Sequence, residues 1–183
     1  MSVHLQTERL QLRRITPDDL DALVELDSDP EVMRYLGGRP TSRERMRDEY
    51  LPRILAYYER GDDLGYWAAA ERASGAFLGW VFFRPYREGD PHLPGIDRSG
   101  IELGYRLRRA AWGRGYATEA CRALVERGFE TVGVERVFAE TMAVNTGSRR
   151  VMEKSGLRHT ATFHLPGEPD EEVQYALSAA DYS

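Results

Sequence analysis

The stretch from Trp112 to Arg127 reads WGRGYATEACRALVER, and the strand-like run IELGYRL (Ile101 to Leu107) stands just before it. After Gly115 the apolar residues recur at helical spacing, at Ala117, Ala120, Cys121, Leu124 and Val125. The first turn of a helix leaves backbone N–H groups without partners and carries partial positive charge from the helix dipole. Because Gly113 and Gly115 have no Cβ to hold an anion away from those amides, the pattern predicts a phosphate-binding turn.

An ordinary strand-to-helix turn would carry similar glycines, so the pattern alone leaves both interpretations open. The stretch is not G-x-G-x-x-G, since Thr118 stands at the third glycine, and no Walker lysine follows. It resembles motif A of the GNAT superfamily of N-acetyltransferases, whose pyrophosphate loop reads Q/R-x-x-G-x-G/A. Trp112 stands at the Gln or Arg position and is followed by GxGYATEA, which resembles the RimJ/RimL-type branch.

The resemblance extends over nearly the whole chain. The N-terminal signature of RimJ/RimL-type enzymes is matched by LQTERLQLRRITPDDLDAL (5–23) and DPEVMRYL (29–36). The strand pair before motif A, motif B and the closing strand are matched by FLGWVFFR (77–84), NTGSRRVMEKSGL (145–157) and EEVQYALSAADY (171–182). The resemblance implies a single GNAT domain over residues 1–183, with a sheet splayed in a V between its fourth and fifth strands and acetyl-CoA in that V.

The hydrophobic periodicity predicts an α/β fold of three layers, with helices on both faces of a mixed, mostly antiparallel twisted sheet of about six to seven strands. The predicted strands are Leu5–Ile15, Tyr66–Glu71, Ala76–Arg84, Ile101–Leu107, Val137–Thr141, Leu157–Phe163 and Glu172–Ser178. Cap and proline signals predict helices that begin near Pro17, Pro30, Thr41, Gly115 and Asn145. Pro52 lies inside the third helix and predicts a kink or two helical pieces.

By resemblance, the cofactor is acetyl-CoA, a co-substrate that acts without a metal. The backbone of Tyr105, Arg106 and Leu107 would pair with its pantetheine amides as an added strand. Its pyrophosphate would lie on the loop formed by Gly113, Arg114, Gly115, Tyr116, Ala117 and Thr118. Asn145 would hydrogen-bond the pantetheine arm, and Ser148 would lie near the sulfur. Helix capping by Asn145 is the alternative interpretation of the same residue.

Acetylation of an amine needs a base for the amine and an acid for the departing thiolate. Glu102 is the candidate base, because burial beside a cleft in an otherwise apolar strand would raise the pKa of its carboxyl group. The alternatives are that Glu102 faces solvent, that it pairs with an arginine, or that water molecules relay the proton. Ser148 is the candidate acid, because Met152 stands where many GNAT enzymes have a tyrosine and a thioether cannot donate a proton.

The composition fits one globular domain, with 183 residues, 42% hydrophobic residues and a net charge of −5. The negative charge argues against a nucleic-acid partner and suits a cationic substrate. With no long apolar run and no signal peptide, we expect a cytoplasmic protein without a membrane partner. The scattered histidines predict no metal site, and Cys121 predicts a buried packing thiol. A homodimer formed through an exposed edge strand is left open.

These expectations combine into an acetyl-CoA-dependent N-acetyltransferase that passes the acetyl group directly to a primary amine in a ternary complex. By resemblance, the acceptor is the α-amine of a protein N-terminus. The alternatives are a small-molecule amine or antibiotic, a non-catalytic acyl-CoA sensor, and a partner-binding domain without a cofactor. Substrate selection is expected from the first two helices, the loop Pro85–Gly100 and the segment His164–Glu172, whose acids could attract an ammonium group.

Overall fold

The computed structural model describes residues 3–61, 63–86 and 93–182, and its strands form a sheet in the order β1-β2-β3-β4-β5-β6-β8-β7. The strands are β1 Val3–Gln6, β2 Leu10–Arg14, β3 Gly65–Glu71, β4 Phe77–Pro85, β5 Ile101–Leu107, β6 Arg136–Met142, β7 Arg158–His164 and β8 Glu171–Ser178. The pairs β1–β2, β2–β3, β6–β8 and β7–β8 are antiparallel, whereas β5–β6 is parallel. The predicted mixed, mostly antiparallel α/β fold is therefore confirmed.

The helices occupy the places that the cap and glycine signals predict. They are α1 Leu20–Ser28, α2 Pro30–Met33, α3 Arg43–Arg45, α4 Leu51–Tyr57, α5 Tyr116–Arg127 and α6 Thr146–Lys154. A 3-10 turn, Pro17–Asp19, leads into α1, and a π-helical segment, Gly128–Val132, extends α5 as far as Gly133.

The sheet has eight strands because the N-terminal segment forms two strands, and the prediction of one strand from Leu5 to Ile15 is wrong. The Thr7 amide donates to the Leu10 carbonyl at 2.9 Å, and the Leu10 amide donates to Thr7 Oγ1 at 3.0 Å. These two bonds close a turn that the alternation of apolar residues does not reveal. The turn places Thr7, Glu8 and Arg9 at one end of the sheet.

The third predicted helix differs from the prediction at its start and in its middle. Ser42, and not Thr41, caps α3, since its hydroxyl accepts from the Arg45 amide at 3.2 Å. Met46–Tyr50 is π-helical, and α4 begins at Leu51 beside Pro52. A proline ring clashes with the carbonyl four residues earlier, and a wider turn relieves that clash. The predicted division into helical pieces is confirmed.

The chain divides into two compact units, residues 1–82 with 105–120 and residues 83–104 with 121–183. The single domain expected from the sequence stays a prediction. In the first unit, an apolar core joins the first helices to the sheet through Ile15, Leu23, Met46, Leu51, Ile54 and Ala68. Arg13 reaches the same region and donates to the Asp19 carboxylate through Nη1 and Nη2, at 2.7 and 2.6 Å.

In the second unit, the strand register assigns several acids to one side of the sheet. Paired residues share a side, and side chains alternate along each strand. Glu102 is opposite Phe138 in the β5–β6 pair, and Glu140 is opposite Gln174 in the β6–β8 pair. Glu172 precedes Gln174 by two residues on β8. We call this side, which carries Glu102, Glu140 and Glu172, the acidic face.

The opposite side of the same strands is apolar and buried, and it carries Val137, Ala139, Val173, Tyr175 and Leu177. Helix α6 contacts this side, since Arg149 Nε donates to Tyr175 Oη at 3.1 Å. The register therefore sets α6 and the Glu102 side chain on opposite sides of the strands. The parallel β5–β6 pairing covers only Ile101–Val137 and Glu102–Phe138, as expected of two strands that separate.

Candidate functional site

A glycine turn joins β5 to α5, as the sequence predicts. Gly113 and Gly115 have φ of 71° and 81°, in the left-handed region that favours glycine. The first bond into α5 runs from the Glu119 amide to the Gly115 carbonyl at 3.0 Å. The amides of residues 115–118 consequently have no partner within the helix, and they lie at the positive end of its dipole.

The space around the two glycines fits a bound phosphate group. A Cβ added at Gly113 would meet no atom within 4 Å, so the turn is open on that side. A Cβ added at Gly115 would lie 3.3 Å from Nη2 of Arg9. Backbone amides at the N-terminus of a helix are a suitable donor set for an anion.

Arg9 belongs to this region although sequence reasoning assigned it only to a strand. Its Nη1 donates to the Arg114 carbonyl at 2.8 Å, and its Nε donates to Glu119 Oε2 at 2.6 Å. Its guanidinium carbon lies 4.7 Å from the centre of the Tyr116 ring. The signal that could have found it is the pairing of two motifs, TERL at residues 7–10 and GYATEA at residues 115–120.

The Tyr116 side chain is structural. It is 3% exposed, and its hydroxyl donates to Glu71 Oε1 at 2.6 Å. Arg114 Nη2 lies 3.7 Å from the same Glu71 oxygen, and the Arg114 guanidinium carbon lies 5.0 Å from the Tyr116 ring centre. For Tyr116, as for Ala117 and Thr118, the backbone amide is therefore the group placed for a ligand.

The predicted pantetheine-binding strand is partly engaged by the protein itself. Trp112 Nε1 donates to the Leu107 carbonyl at 2.7 Å. The Arg106 side chain pairs with the buried Asp27, and its guanidinium carbon lies 4.9 Å from the Trp80 ring centre. The Leu107 carbonyl therefore already accepts a hydrogen bond from the Trp112 side chain. The Trp112 side chain, 46% exposed, links the end of β5 to the glycine turn.

Glu102 pairs with an arginine, one of the alternatives that the sequence left open. Its Oε2 lies 2.7 Å from Nη2 of Arg84, and the two side chains are 17% and 7% exposed. Carboxylate and guanidinium are thus both withdrawn from bulk water. A base role for Glu102 must operate from within this ion pair.

Asn145 caps α6, as the alternative interpretation of that residue predicted. Its Oδ1 accepts from the Ser148 amide, and its Nδ2 donates to Thr141 Oγ1, both at 3.1 Å. An amide nitrogen carries two hydrogens, so a ligand contact would use the other Nδ2 hydrogen. Ser148 stands in the first turn of α6, whereas Met152 is 2% exposed and packs in the core.

Glu172 is a titrating group that sequence reasoning recognised only as a member of an acidic turn. Burial raises its pKa to about 7, and the negative charges of Glu140 and Asp170 add to that effect. Arg98 partly offsets the shift, and it donates to the Glu140 carboxylate through Nε and Nη2 at 2.8 and 2.7 Å. The acidic face therefore carries a carboxyl group that changes charge near neutral pH.

The described part of the chain shows neither a metal-binding cluster nor a membrane-spanning helix, and its cysteine is buried. The described residues hold no group of three His, Cys, Asp or Glu side chains placed to bind a metal ion. Their helices include none with the length and apolarity needed to cross a membrane. Cys121 is fully buried, which confirms the packing prediction, and burial raises the pKa of its thiol well above the usual value. Residues 87–92 of the predicted substrate loop lie outside the described residues.

Comparison with known proteins relates the whole fold to one family. Residues 9–158 match the model of an acetyltransferase (GNAT) domain. FsC-acetyl coenzyme A-N(2)-transacetylase of Aspergillus fumigatus is 32% identical over an alignment of 186 residues that covers 97% of this chain and 77% of that protein. Aminoglycoside N(6')-acetyltransferase type 1 of Klebsiella pneumoniae is 28% identical over an alignment of 173 residues that covers 88% of this chain and 80% of that protein. The GNAT-family acetyltransferase structure from Bacillus anthracis superposes with a TM-score of 0.76 at 25% identity, over 96% of this chain and 98% of that one.

Proposed function

This chain belongs to the GNAT family of acetyltransferases and is an acetyl-CoA-dependent acyltransferase, and from that premise we propose that it acetylates the primary amine of a small molecule. Transfer is direct, in a ternary complex. Transfer through a cysteine thioester is disfavoured, because Cys121, the single cysteine of the sequence, is buried and held in its neutral form.

The glycine turn is the observation that carries the cofactor side of the proposal. The amides of residues 115–118 donate to the pyrophosphate, and the open side of Gly113 gives the phosphate room. Tyr105 and Arg106 offer backbone groups to the pantetheine arm, and Asn145 offers its second Nδ2 hydrogen. Acetyl-CoA, when bound, supplies a thioester carbonyl that an amine can attack.

Proton transfer is assigned to Glu102 and Ser148. Glu102 accepts the proton of the acceptor ammonium, directly or through a water molecule, while Arg84 fixes the orientation of its carboxylate. The Ser148 hydroxyl donates to the departing thiolate. The register supports this division of roles, since Glu102 and α6 are associated with opposite sides of the strands.

The acceptor class rests on two named relatives and on charge. One relative is named as an N(2)-transacetylase of FsC, and another as an N(6')-acetyltransferase of aminoglycosides. The acidic face carries three carboxyl groups, and arginines neutralise two of them through the Arg84–Glu102 and Arg98–Glu140 pairs. A cationic amine is the acceptor that such a face attracts.

A second candidate acceptor is the α-amine of a protein, as in the RimJ/RimL-type branch. The observation in its favour is the N-terminal signature, residues 5–23 and 29–36, together with Trp112 before the glycine turn. The two candidate acceptors differ in what is attached to the amine. In a protein the α-amine is followed by a peptide backbone, which a small-molecule amine lacks.

Calorimetric titration of CoA tests the cofactor side. Wild type should bind in the micromolar range, about −8 kcal/mol. Gly115→Asp should bind at least tenfold more weakly, because its carboxylate repels the pyrophosphate. Gly37→Asp is the control, since Gly37 also has a positive φ, 87°, and a Cβ added there would meet no atom within 4 Å. Unchanged binding by Gly115→Asp would remove the turn from the cofactor site.

An amine panel then separates the two acceptor classes. Release of the CoA thiol is followed with an aminoglycoside, a simple diamine and short peptides with a free α-amine. We expect turnover with small polyamines and little with peptides. The reverse order would establish the protein acceptor instead, and no release with any amine would favour a non-catalytic sensor.

A further inference from the structure

Glu119, in the first turn of α5, joins the glycine-turn helix to the turn between β1 and β2. Its Oε1 accepts from Thr7 Oγ1 and, at 2.8 Å, from the Arg9 amide. Its Oε2 accepts from Arg9 Nε at 2.6 Å. Burial alone would raise the pKa of Glu119, but these hydrogen bonds outweigh it and the pKa is lowered. The carboxylate is thus held as an anion with both oxygens occupied.

Arg9 continues the connection from Glu119 to the glycine turn itself. Its Nη1 holds the Arg114 carbonyl at 2.8 Å, between the two glycines, and its guanidinium stacks on Tyr116. The Arg9 side chain is 42% exposed and the Glu119 side chain 16% exposed. Arg72 holds the β1–β2 turn, since its Nη1 donates to the Thr7 carbonyl at 2.7 Å. We call Thr7, Arg9 and Glu119 the clamp.

The glycine turn needs such support because its glycines allow many backbone conformations. A phosphate site is strong when its amides are oriented before the ligand arrives, since ordering them costs binding free energy. The Arg114 carbonyl is the group most harmful to an anion if the peptide rotates, because it would replace an N–H with an oxygen. Arg9 holds that carbonyl in place.

We propose that Arg9, oriented by Glu119, is a positioning residue that fixes the glycine turn in its pyrophosphate-binding conformation. The proposal rests on the proposed use of acetyl-CoA and deepens it. Arg9 acts through the Arg114 carbonyl, so its loss should weaken the binding of the phosphate-bearing part of acetyl-CoA and leave the binding of the pantetheine arm unchanged. The competing explanation is that the clamp only stabilises the fold, in which case every acyl donor would suffer alike.

Comparison of two acyl donors separates these explanations. Acetyl-CoA contains the pyrophosphate within its 3′-phospho-ADP group, whereas acetyl-pantetheine contains the same thioester and arm without that group. For Arg9→Ala we expect KM for acetyl-CoA to rise at least tenfold with kcat within twofold, and kcat/KM for acetyl-pantetheine to stay within twofold. Arg9→Lys should resemble Arg9→Ala, because one ammonium cannot reproduce the two-directional grip of a guanidinium. Arg45→Ala, which removes an exposed arginine paired with Glu49, is the control.

CoA titration adds a readout that is independent of the acceptor. Arg9→Lys, Glu119→Gln and the double variant should each weaken CoA binding, and the double variant should lose less than the sum of the two single losses. Equal losses with both acyl donors, or CoA binding by Arg9→Lys within twofold of wild type, would overturn the positioning role. If wild type itself binds no CoA, the proposed function fails. If Arg9→Ala does not fold, Arg9→Lys alone decides the proposal.

Discussion

Glu102 forms a structural ion pair and also has a proposed role as the catalytic base. Because its partner Arg84 is buried, a substitution at Glu102 should affect stability as well as catalysis. Arg84 is 7% exposed and pairs with Glu102 at 2.7 Å. Removing a partner from a buried ion pair is costly because the remaining charge is left without compensation. A substitution at Glu102 therefore has to be judged by turnover and by stability together.

Glu102→Gln should lower kcat by about 10²–10⁴-fold, the usual contribution of a general base. Kd for CoA should stay within twofold, since CoA is held by other residues. The measurement pairs steady-state kinetics with calorimetry, and a thermal melt confirms that the variant is folded at the assay temperature. Ser148→Ala should show the same pattern with a smaller loss. Full turnover in either folded variant would remove that residue from the mechanism.

Glu172 gives the clearest pH dependence. Its pKa is raised to about 7, chiefly by burial, so the folded protein holds a proton that the unfolded chain releases near its ordinary pKa of 4.5. A group with a raised folded pKa contributes stability at low pH and loses it as the pH rises toward 7. The limiting effect is about 3 kcal/mol, which solvent screening of a partly exposed group reduces to roughly 1 kcal/mol.

Glu172→Gln should therefore be more stable than wild type above pH 7, by roughly 1 kcal/mol or 2–4 °C in Tm. The difference should shrink between pH 7 and pH 5 and vanish below the ordinary carboxyl pKa. Thermal melts across pH 4.5–8 measure it, with Glu171→Gln, an exposed neighbour, as the control. A constant difference at every pH would show that the carboxyl group does not titrate in this range.

At the scale of elements, local signals located most of the fold. Caps, prolines and glycines predicted the ends of α1, α5 and α6 closely, because each acts within a few residues. The N-terminal strand and the cap of α3 were misplaced for one reason. Thr7 closes a turn through two hydrogen bonds and Ser42 caps a helix through one, and apolar periodicity reports none of them.

The difference between local signals and contacts that are distant in sequence also limits prediction of the site. The glycine turn and the Asn145 cap are local, so their residues could be named from sequence. Arg9 with Glu119 and Arg84 with Glu102 are partners brought together by strand pairing and packing, which no spacing along the chain encodes. The paired arginines therefore appear only in the structure.

Helix α6 offers a test that separates capping from ligand binding. Asn145→Ala removes the acceptor for the Ser148 amide, and it should cost about 1 kcal/mol of unfolding free energy. Asn145→Asp keeps that acceptor, and although it has no Nδ2 hydrogen to bond Thr141 Oγ1, the threonine hydroxyl can donate to the new carboxylate oxygen, so stability should stay within about 0.5 kcal/mol of wild type. If Asn145 also holds pantetheine, Asn145→Asp should weaken CoA binding severalfold. Urea denaturation and calorimetry measure the two effects, and undiminished CoA affinity in Asn145→Asp would leave Asn145 as a cap only.

At the scale of the whole molecule, the order of motifs identified the family although single contacts stayed hidden. Apart from TERL, which forms the β1–β2 turn where one continuous strand was predicted, the motifs correspond to elements of the predicted type and order, as far as EEVQYALS in β8. Family membership indicates acetyl-CoA as the acyl donor, and the site that we propose for its pyrophosphate is one backbone feature, the glycine turn. We expect the acceptor to be selected by side chains largely outside these motifs, and family membership therefore says less about it.

Ligand linkage allows the cofactor assignment to be tested on the intact chain without any acceptor. A ligand that binds only the folded state adds RT ln(1 + [L]/Kd), or about 2.7 kcal/mol at 100 times Kd. Acetyl-CoA at that excess should raise Tm by several degrees, whereas acetyl-pantetheine at the same concentration should raise it less because it lacks the pyrophosphate. Gly115→Asp should lose most of the acetyl-CoA shift, and Gly37→Asp should keep it. Equal shifts with both donors would mean that the pantetheine arm alone supplies the affinity, and the anion-binding role of the turn would have to be abandoned.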